Sequence, residues 1–256
     1  MIIEGRSHIG LVRQANQDAF DSFALPGGAC FAIVCDGMGG PGGGEVASSV
    51  TVEQVSRRIR EGYSEGIGED DLLRLVRTAL EEASALVYER SRQDEALFGM
   101  GTTAVLALVT GQRAYLANVG DSRAYLFSRS STGEQRLRQI SRDHSVVQEL
   151  IDGGSITTEE ARTHPKRNII TRALGTQTGV SADFFKVAIY PGERLLLCSD
   201  GLTNMVTEAG IYSILSREPD NAAAADRLIE AALEAGATDN VTALLITHQE
   251  ATKWET

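Results

Sequence analysis

Residues 30–42 read Cys30-Phe31-Ala32-Ile33-Val34-Cys35-Asp36-Gly37-Met38-Gly39-Gly40-Pro41-Gly42. The run Cys30–Cys35 is apolar at every position, the pattern of a strand covered on both faces. A glycine-rich turn follows. Then comes an amphipathic helix over Glu45–Arg60, with Val46, Val50, Val55 and Ile59 at near-helical spacing. Strand, G-x-G-x-x-G and helix together form the context of a dinucleotide-binding βαβ unit. Two features reject that reading. Asp36 would place a negative charge where a pyrophosphate must meet the helix N-terminus. The helix also leads through the polar loop Glu61–Gly68 into a second helix, Asp70–Arg92, and not into the second strand that a βαβ unit requires. That second helix carries Leu72, Leu73, Val76, Leu80, Ala83 and Val87 on one face, with Asp70 as its expected N-cap.

Outward from this segment the strands stay short and apolar: Thr103–Val109, Ala114–Asn118, Arg123–Phe127, Arg194–Ser199 and Val241–Thr247. Val119-Gly120-Asp121-Ser122 separates two of them and reads as a hairpin turn. A third helix is expected over Asn221–Glu234. Short buried strands mixed with long helices indicate an α+β fold of packed sheets covered by helices. Residues 141–175 differ, being polar, turn-rich and broken by short helical pieces, and read as an inserted subdomain. There is neither a repeat nor a long linker, so residues 1–256 are expected to form one domain.

The chain has 256 residues, 42% of them hydrophobic, enough to bury a core and to exclude overall disorder. Lys and Arg total 24 against 35 Asp and Glu, a formal charge of −11. That excess argues against nucleic-acid and membrane-surface partners, which select for basic residues. No apolar run approaches the roughly 18 to 20 residues of a membrane span, and no signal peptide is visible. Cys30, Cys35 and Cys198 lie inside apolar runs and read as buried thiols in a reducing cytoplasm. Cys30 and Cys35 point to opposite faces of one strand, so a disulfide between them is not expected.

The acids are where chemistry enters. Asp36 follows one buried strand and Asp200 another. Asp239 precedes a strand, Asp121 sits in the turn, and Asp18 follows Arg13-Gln-Ala-Asn-Gln17. One aspartate beside a strand reads as a turn former. Five such residues at rigid strand ends read as a convergent site. Ionised carboxylates sharing a small space need a cation. Oxygen donors without histidine suit Mg²⁺ or Mn²⁺ better than zinc. Spacing removes other phosphate chemistries. The residues six beyond the cysteines are Asp36, Pro41 and Asn204, so there is no Cys-x₅-Arg nucleophile, and neither a P-loop nor a G-x-S-x-G elbow occurs. A water activated by two divalent ions is the chemistry left.

The chain resembles the metal-dependent (type 2C) serine/threonine protein phosphatases in their bacterial form. Family motifs stand in order from Arg13-Gln-Ala-Asn-Gln-Asp18 and Asp36-Gly-Met-Gly-Gly40 through Gly99-Met-Gly-Thr-Thr103, Val119-Gly-Asp-Ser-Arg123 and Asp143-His-Ser145. They continue through His164-Pro-Lys-Arg-Asn168, Thr171-Arg-Ala-Leu-Gly175 and Cys198-Ser-Asp-Gly201 to Asp239-Asn240. The resemblance implies two packed antiparallel sheets flanked by helices, a four-layer αββα sandwich with a flap at 141–175. It also implies two Mn²⁺ or Mg²⁺ ions. Asp36 would bridge them, the Gly37 carbonyl would bind one, and Asp200 and Asp239 would hold the other. A third site would involve Asp121 with Asp200, Asp18 would support metal-bound water, and Arg13 would grip the substrate phosphate. The implied reaction is in-line attack of a metal-bridging water or hydroxide on phosphoserine or phosphothreonine of proteins, opposing a serine/threonine kinase. A cytoplasmic monomer is expected.

Three positions depart from the family pattern. Gln17 stands where many members have Glu, Pro41 where bacterial members often have His, and Met38 where eukaryotic members have a histidine proposed as general acid. His144 and His164 lie in flap motifs and read as turn and capping residues; His8 and His248 lie outside any motif. Two other classes compete with the phosphatase: a catalytically weak phosphoprotein-binding sensor, which would be expected to lose metal acids, and a nicotinamide oxidoreductase, which rests on the glycine run alone.

Overall fold

The computed structural model describes residues 1–40, 42–129 and 132–248. In chain order the strands are β1 (Ile2–His8), β2 (Asp18–Ala24), β3 (Cys30–Met38), β4 (Gly101–Thr102), β5 (Ala104–Thr110), β6 (Arg113–Val119), β7 (Arg123–Arg129), β8 (Gln135–Gln139), β9 (Asp183–Ala188), β10 (Arg194–Cys198) and β11 (Val241–Thr247). The helices are α1 (Gly43–Gly62), α2 (Glu69–Gln93), α3 (Val146–Asp152), α4 (Thr158–Thr163), α5 (Asp200–Thr203), α6 (Glu208–Arg217) and α7 (Asn221–Glu234). One sheet runs β1-β11-β10-β7-β8. The other runs β2-β3-β5-β6-β9, with β4 paired to β3. Every described pairing is antiparallel.

The apolar run of β3 shows why four layers form. Cys30, Ala32 and Val34 face the other sheet and pack with Leu195, Leu197, Leu244 and Ile246. Phe31, Ile33 and Cys35 face the helices, against Val55 and Ile59 of α1 and Val76 and Leu80 of α2. On the far side, Leu196, Ala243 and Leu245 pack beneath α6 and α7 through Ile211, Leu215, Leu228 and Ala232. The result is the αββα sandwich that the family resemblance implies. All three cysteines are free and buried, with Cys30 and Cys35 on opposite faces of β3.

Several local expectations are corrected. Val119–Ser122 is not a hairpin turn: β6 pairs with β5 and β9 in one sheet, whereas β7 pairs with β10 and β8 in the other. Gly120, at φ +102°, lets the chain turn the corner between sheets, so Asp121 is delivered to the end of both. Asp70 does not cap α2. Gly68 holds that position without a side-chain bond, and Asp70 sits in the first turn with Glu69 and Asp71, where carboxylates complement the helix dipole. α1 begins two residues before Glu45 and runs on through Gly62. Residues 141–175 contain α3 and α4 with little strand pairing; the isolated bridge Thr102↔Leu174 joins the segment to β4, and Ser145↔Ile170 ties its two limbs together.

Candidate metal centre

Strand ends from both sheets open onto one cleft of about 640 Å³. Asp36, Asp121, Asp200 and Asp239 line it with Arg13, and Arg162 and Arg167 reach it from the 141–175 segment. Asp18 lies behind Asp36, directly opposite it in the β2–β3 register.

Asp36 is held at the end of β3 by backbone and hydroxyl contacts from distant residues. The Asp36 amide donates to Thr103 Oγ1 at 2.9 Å, and the Asp36 carbonyl accepts from Thr102 Oγ1 at 2.8 Å and from the Thr103 amide at 2.9 Å. Gly37 donates to the Gln17 carbonyl at 3.0 Å. A Cβ on Gly37 would stand 2.0 Å from the Gly44 carbonyl oxygen, so only glycine allows α1 to approach the end of β3. Gly201 is constrained likewise, its Cβ position lying 1.9 Å from the Asn240 carbonyl oxygen. Asn240 clamps the Arg13 loop: its Oδ1 accepts from the Gln17 amide at 2.8 Å, and its Nδ2 donates to the carbonyls of Ile9 and Ala15 at 2.9 and 3.0 Å.

The electrostatics are those of a crowd of like charges. Burial, then Asp18, Asp200, Asp121 and Asp239, push the Asp36 carboxyl well above the ordinary range. Burial and Asp239 raise Asp200, against the lowering effect of hydrogen bonds from Asp36 and Asn204. Asp121 is raised by burial and by Asp200 and Asp143. Asp18 is raised to about 7, chiefly by burial, although its Oδ2 accepts from Ser199 Oγ at 2.7 Å and Thr242 Oγ1 at 2.6 Å. Its other oxygen, Oδ1, is buried with no partner among the described residues. Arg13 donates to Asp239 Oδ2 at 2.7 Å and, among the described residues, pairs directly with that carboxylate alone.

These residues fit a divalent cation. The donors are all oxygen, they destabilise one another when ionised, and one buried carboxylate oxygen is orphaned. Among the described residues no three His, Cys, Asp or Glu side chains are already drawn into a closed cage. Asp239 turns to Arg13, and Asp200 accepts from Asn204 Nδ2 at 3.0 Å. A site that relies on few protein ligands and retains water suits Mg²⁺ or Mn²⁺.

Residues 4–236 match the family model described as Protein phosphatase 2C. The chain belongs to the protein phosphatase 2C family. It is 39% identical over 247 residues to serine/threonine phosphatase stp of Listeria monocytogenes, covering 96% of this chain and 95% of that protein. It is 35% identical over 243 residues to protein phosphatase PhpP of Streptococcus pneumoniae, covering 94% and 95%. The crystal structure of serine/threonine phosphatase Stp1 from Staphylococcus aureus superposes with a TM-score of 0.88 at 35% identity, over 97% of this chain and 95% of that one. Metal dependence by Mn²⁺ or Mg²⁺ is general in the protein phosphatase 2C family.

Against that family's pattern, Gln17 and Met38 both line the cleft, whereas Pro41 lies outside the described residues. His164 Nδ1 accepts from the Lys166 amide at 3.1 Å, a turn bond, and His8 Nδ1 accepts from the Gly10 amide at 3.0 Å. His144 is buried and makes longer-range contacts. The sequence reading missed the supporting hydroxyls, Thr102, Thr103, Ser122, Ser199 and Thr242, and the Asn240 clamp. All but Thr242 stand inside the quoted motifs, so motif membership was the available signal. Hydroxyls and amides carry no charge pattern that would have pointed to their role.

Proposed function

We propose that this chain is a metal-dependent serine/threonine protein phosphatase that hydrolyses phosphoserine and phosphothreonine in proteins with two Mn²⁺ or Mg²⁺ ions. The observation that carries the reading is the meeting of Asp36, Asp121, Asp200 and Asp239 at one cleft, with Arg13 at its rim. Asp36, the Gly37 carbonyl, Asp200 and Asp239 would hold the ion pair, and Asp121 with Asp200 a third ion. Bound there, the ions supply the positive charge that polarises phosphoryl oxygens and acidifies water.

The chain's own residues do the rest. Arg13 is half exposed and pairs with Asp239, so its planar fork can pivot to a phosphate and shield the approaching dianion from the acids. Asp18, fixed through Oδ2 by Ser199 and Thr242, presents Oδ1 as an acceptor that orients water behind Asp36. Arg162 and Arg167 add positive charge to the lining of the cleft and draw the phosphoprotein segment inward. Met38 has no proton to donate, so the leaving alkoxide takes its proton from water admitted by the open cleft. The physiological setting that suits this site is the cytoplasm, with a monomer reversing the work of a serine/threonine kinase. No helix among the described residues is long and apolar enough to cross a membrane.

The test is hydrolysis of a small aryl phosphate and of matched phosphoserine, phosphothreonine and phosphotyrosine peptides with added Mn²⁺. Turnover on the first three, lost on chelation, is expected. Full activity in metal-free buffer, or binding of phosphopeptides without turnover, would sink the reading.

A further inference from the structure

His144 is 5% exposed and lies within the segment 141–175, yet its ring touches the corner between the two sheets. The Gly120 amide donates to His144 Nδ1 at 3.1 Å, and the His144 amide returns a bond to the Gly120 carbonyl at 2.9 Å. On the other side of the ring, Nε2 stands 3.2 Å from Asp183 Oδ2 at the start of β9. Arg172 Nη1 donates to Asp183 Oδ1 at 2.9 Å and also lies 3.2 Å from Nε2.

Donor counting settles the tautomer. An amide can only donate, so Nδ1 is an acceptor and carries no proton. A neutral ring then carries its proton on Nε2, and a guanidinium has no lone pair to receive it, so that proton goes to Asp183. Burial acts in the same sense, holding His144 below its ordinary pKa and keeping the ring neutral. The residue before it is also committed to the corner: Asp143 takes the Arg123 fork, with Arg123 Nη2 at 2.7 Å from Oδ2. Both flanks of Asp121 are therefore tied to adjacent residues of the same segment, Gly120 through His144 and Arg123 through Asp143. The His144 carbonyl accepts from the Thr171 amide at 2.8 Å, which joins the returning limb of the segment to the same node.

We infer that His144 is a positioning residue for Asp121: its Nε2–H tautomer, oriented by the Arg172–Asp183 pair, holds the Gly120 amide and so fixes the inter-sheet corner that presents Asp121 to the cleft. The kinetic consequence rests on the phosphatase reading; the tautomer and the Gly120 bond do not.

Two substitutions divide the ring's functions. Asn places an amide oxygen near the position of Nδ1 and keeps an acceptor for Gly120. Gln reaches toward the position of Nε2 and keeps the Asp183 contact alone. Three measurements follow. In metal-free protein, nitrogen–proton correlation spectra are expected to show His144 protonated on Nε2; a proton on Nδ1 overturns the inference. Amide exchange at Gly120 is expected to rise about 10-fold in His144→Gln and not in His144→Asn, the scale of one lost hydrogen bond; equal exchange in the two overturns it. In phosphopeptide turnover, His144→Gln is expected to lower kcat about 10-fold with KM unchanged, a loss of the size seen when supporting partners of a site are removed. That loss should vanish in an Asp121→Ala background, whereas full additivity overturns the inference. If His144→Gln does not fold, the tautomer in unsubstituted protein decides alone. If the chain proves not to be a phosphatase, the spectroscopic and exchange outcomes still stand or fall by themselves.

Discussion

The sheet β1-β11-β10-β7-β8 has clefts of nearly equal size at its two ends, about 640 Å³ where β10 leaves at Cys198 and about 630 Å³ where it enters at Arg194. Both hold buried charge, but they hold it differently. At the second end the buried charges are Glu193, whose Oε2 accepts from the Tyr190 amide at 2.8 Å, and Arg194, 5% exposed, whose guanidinium donates to the carbonyls of Leu215 and Glu218 (the latter at 2.7 Å) and lies 4.9 Å from the Phe127 ring centroid. Those carbonyls close the C-terminal end of α6, where a cation is favoured, so the charge is answered locally. At the first end the charges are aspartates, of which Asp18, Asp36, Asp121 and Asp200 are pushed above the ordinary carboxylate range by burial and like charge, and Asp18 Oδ1 has no partner among the described residues. Volume does not separate a site from a structural crevice here. Unanswered charge does.

The sharpest way to break this contrast is at Asp36. Asp36→Asn is expected to lower Mn²⁺-dependent turnover on the order of 1000-fold, the scale of losing a central electrostatic contact. In metal-free buffer the same change relieves like-charge crowding, so the melting temperature is expected to rise. A fall in both activity and metal-free stability would mean that Asp36 serves the fold. Arg194→Met should do the reverse. It leaves two helix-end carbonyls unsatisfied and is expected to cost about 1–3 kcal/mol of stability, read by urea denaturation, with kcat unchanged.

The crowded end also predicts an unusual pH dependence. Asp18 moves from an ordinary value of 3.8 to about 7 on folding, and Asp36, Asp121 and Asp200 move in the same direction. A raised folded-state pKa means that the native protein binds more protons than the unfolded chain across that interval, so stability falls as pH rises. Thermal melts in chelator are therefore expected to drop steadily from pH 5 to pH 7, and saturating Mn²⁺ should flatten the slope. A metal-free protein that gains stability over the same range would show that these carboxylates are ionised and individually satisfied.

Much of this contrast was legible before any coordinates. Packed sheets covered by helices follow from short buried strands such as Cys30–Cys35, which is apolar on both faces and followed by two helices in place of a second strand, and the four-layer αββα order is what the family resemblance implies. The acids that line the cleft follow from their places beside strand ends. Three things were not legible. The corner at Val119–Ser122 has the composition of a hairpin, because a tight turn and a sheet-to-sheet crossing both call for glycine beside small polar residues. Only the partners of β6 and β7 distinguish them, and those partners are far away in sequence. The pairing of Arg13 with Asp239 was hidden for the same reason, since it spans 226 positions. Asp70 shows a different kind of miss: an N-cap and a first-turn acid are both favoured at helix starts, and an offset of two residues exchanges them.

Gln17 offers the finest adjustment of the comparison, because it changes the number of charges at the crowded end without moving the backbone. Its amide donates to Asn240 Oδ1 and its carbonyl accepts from Gly37, so the main chain is pinned while the side chain lines the cleft. Gln17→Glu is nearly isosteric and adds one carboxylate to a set already short of cations. In the metal-free protein the added charge joins a crowd, and the melting temperature is expected to fall by a few degrees, corresponding to less than about 1 kcal/mol. With divalent metal the same charge meets a cation, and the dissociation constant for Mn²⁺ by calorimetry is expected to tighten about 3- to 10-fold, the smaller side of effects assigned to outer partners of a metal site. The two signs oppose each other, and that opposition is the point of the measurement. A substitution that merely perturbed packing near Gly44 would lower stability with and without metal, whereas one that acts through charge lowers it in chelator and raises it in Mn²⁺.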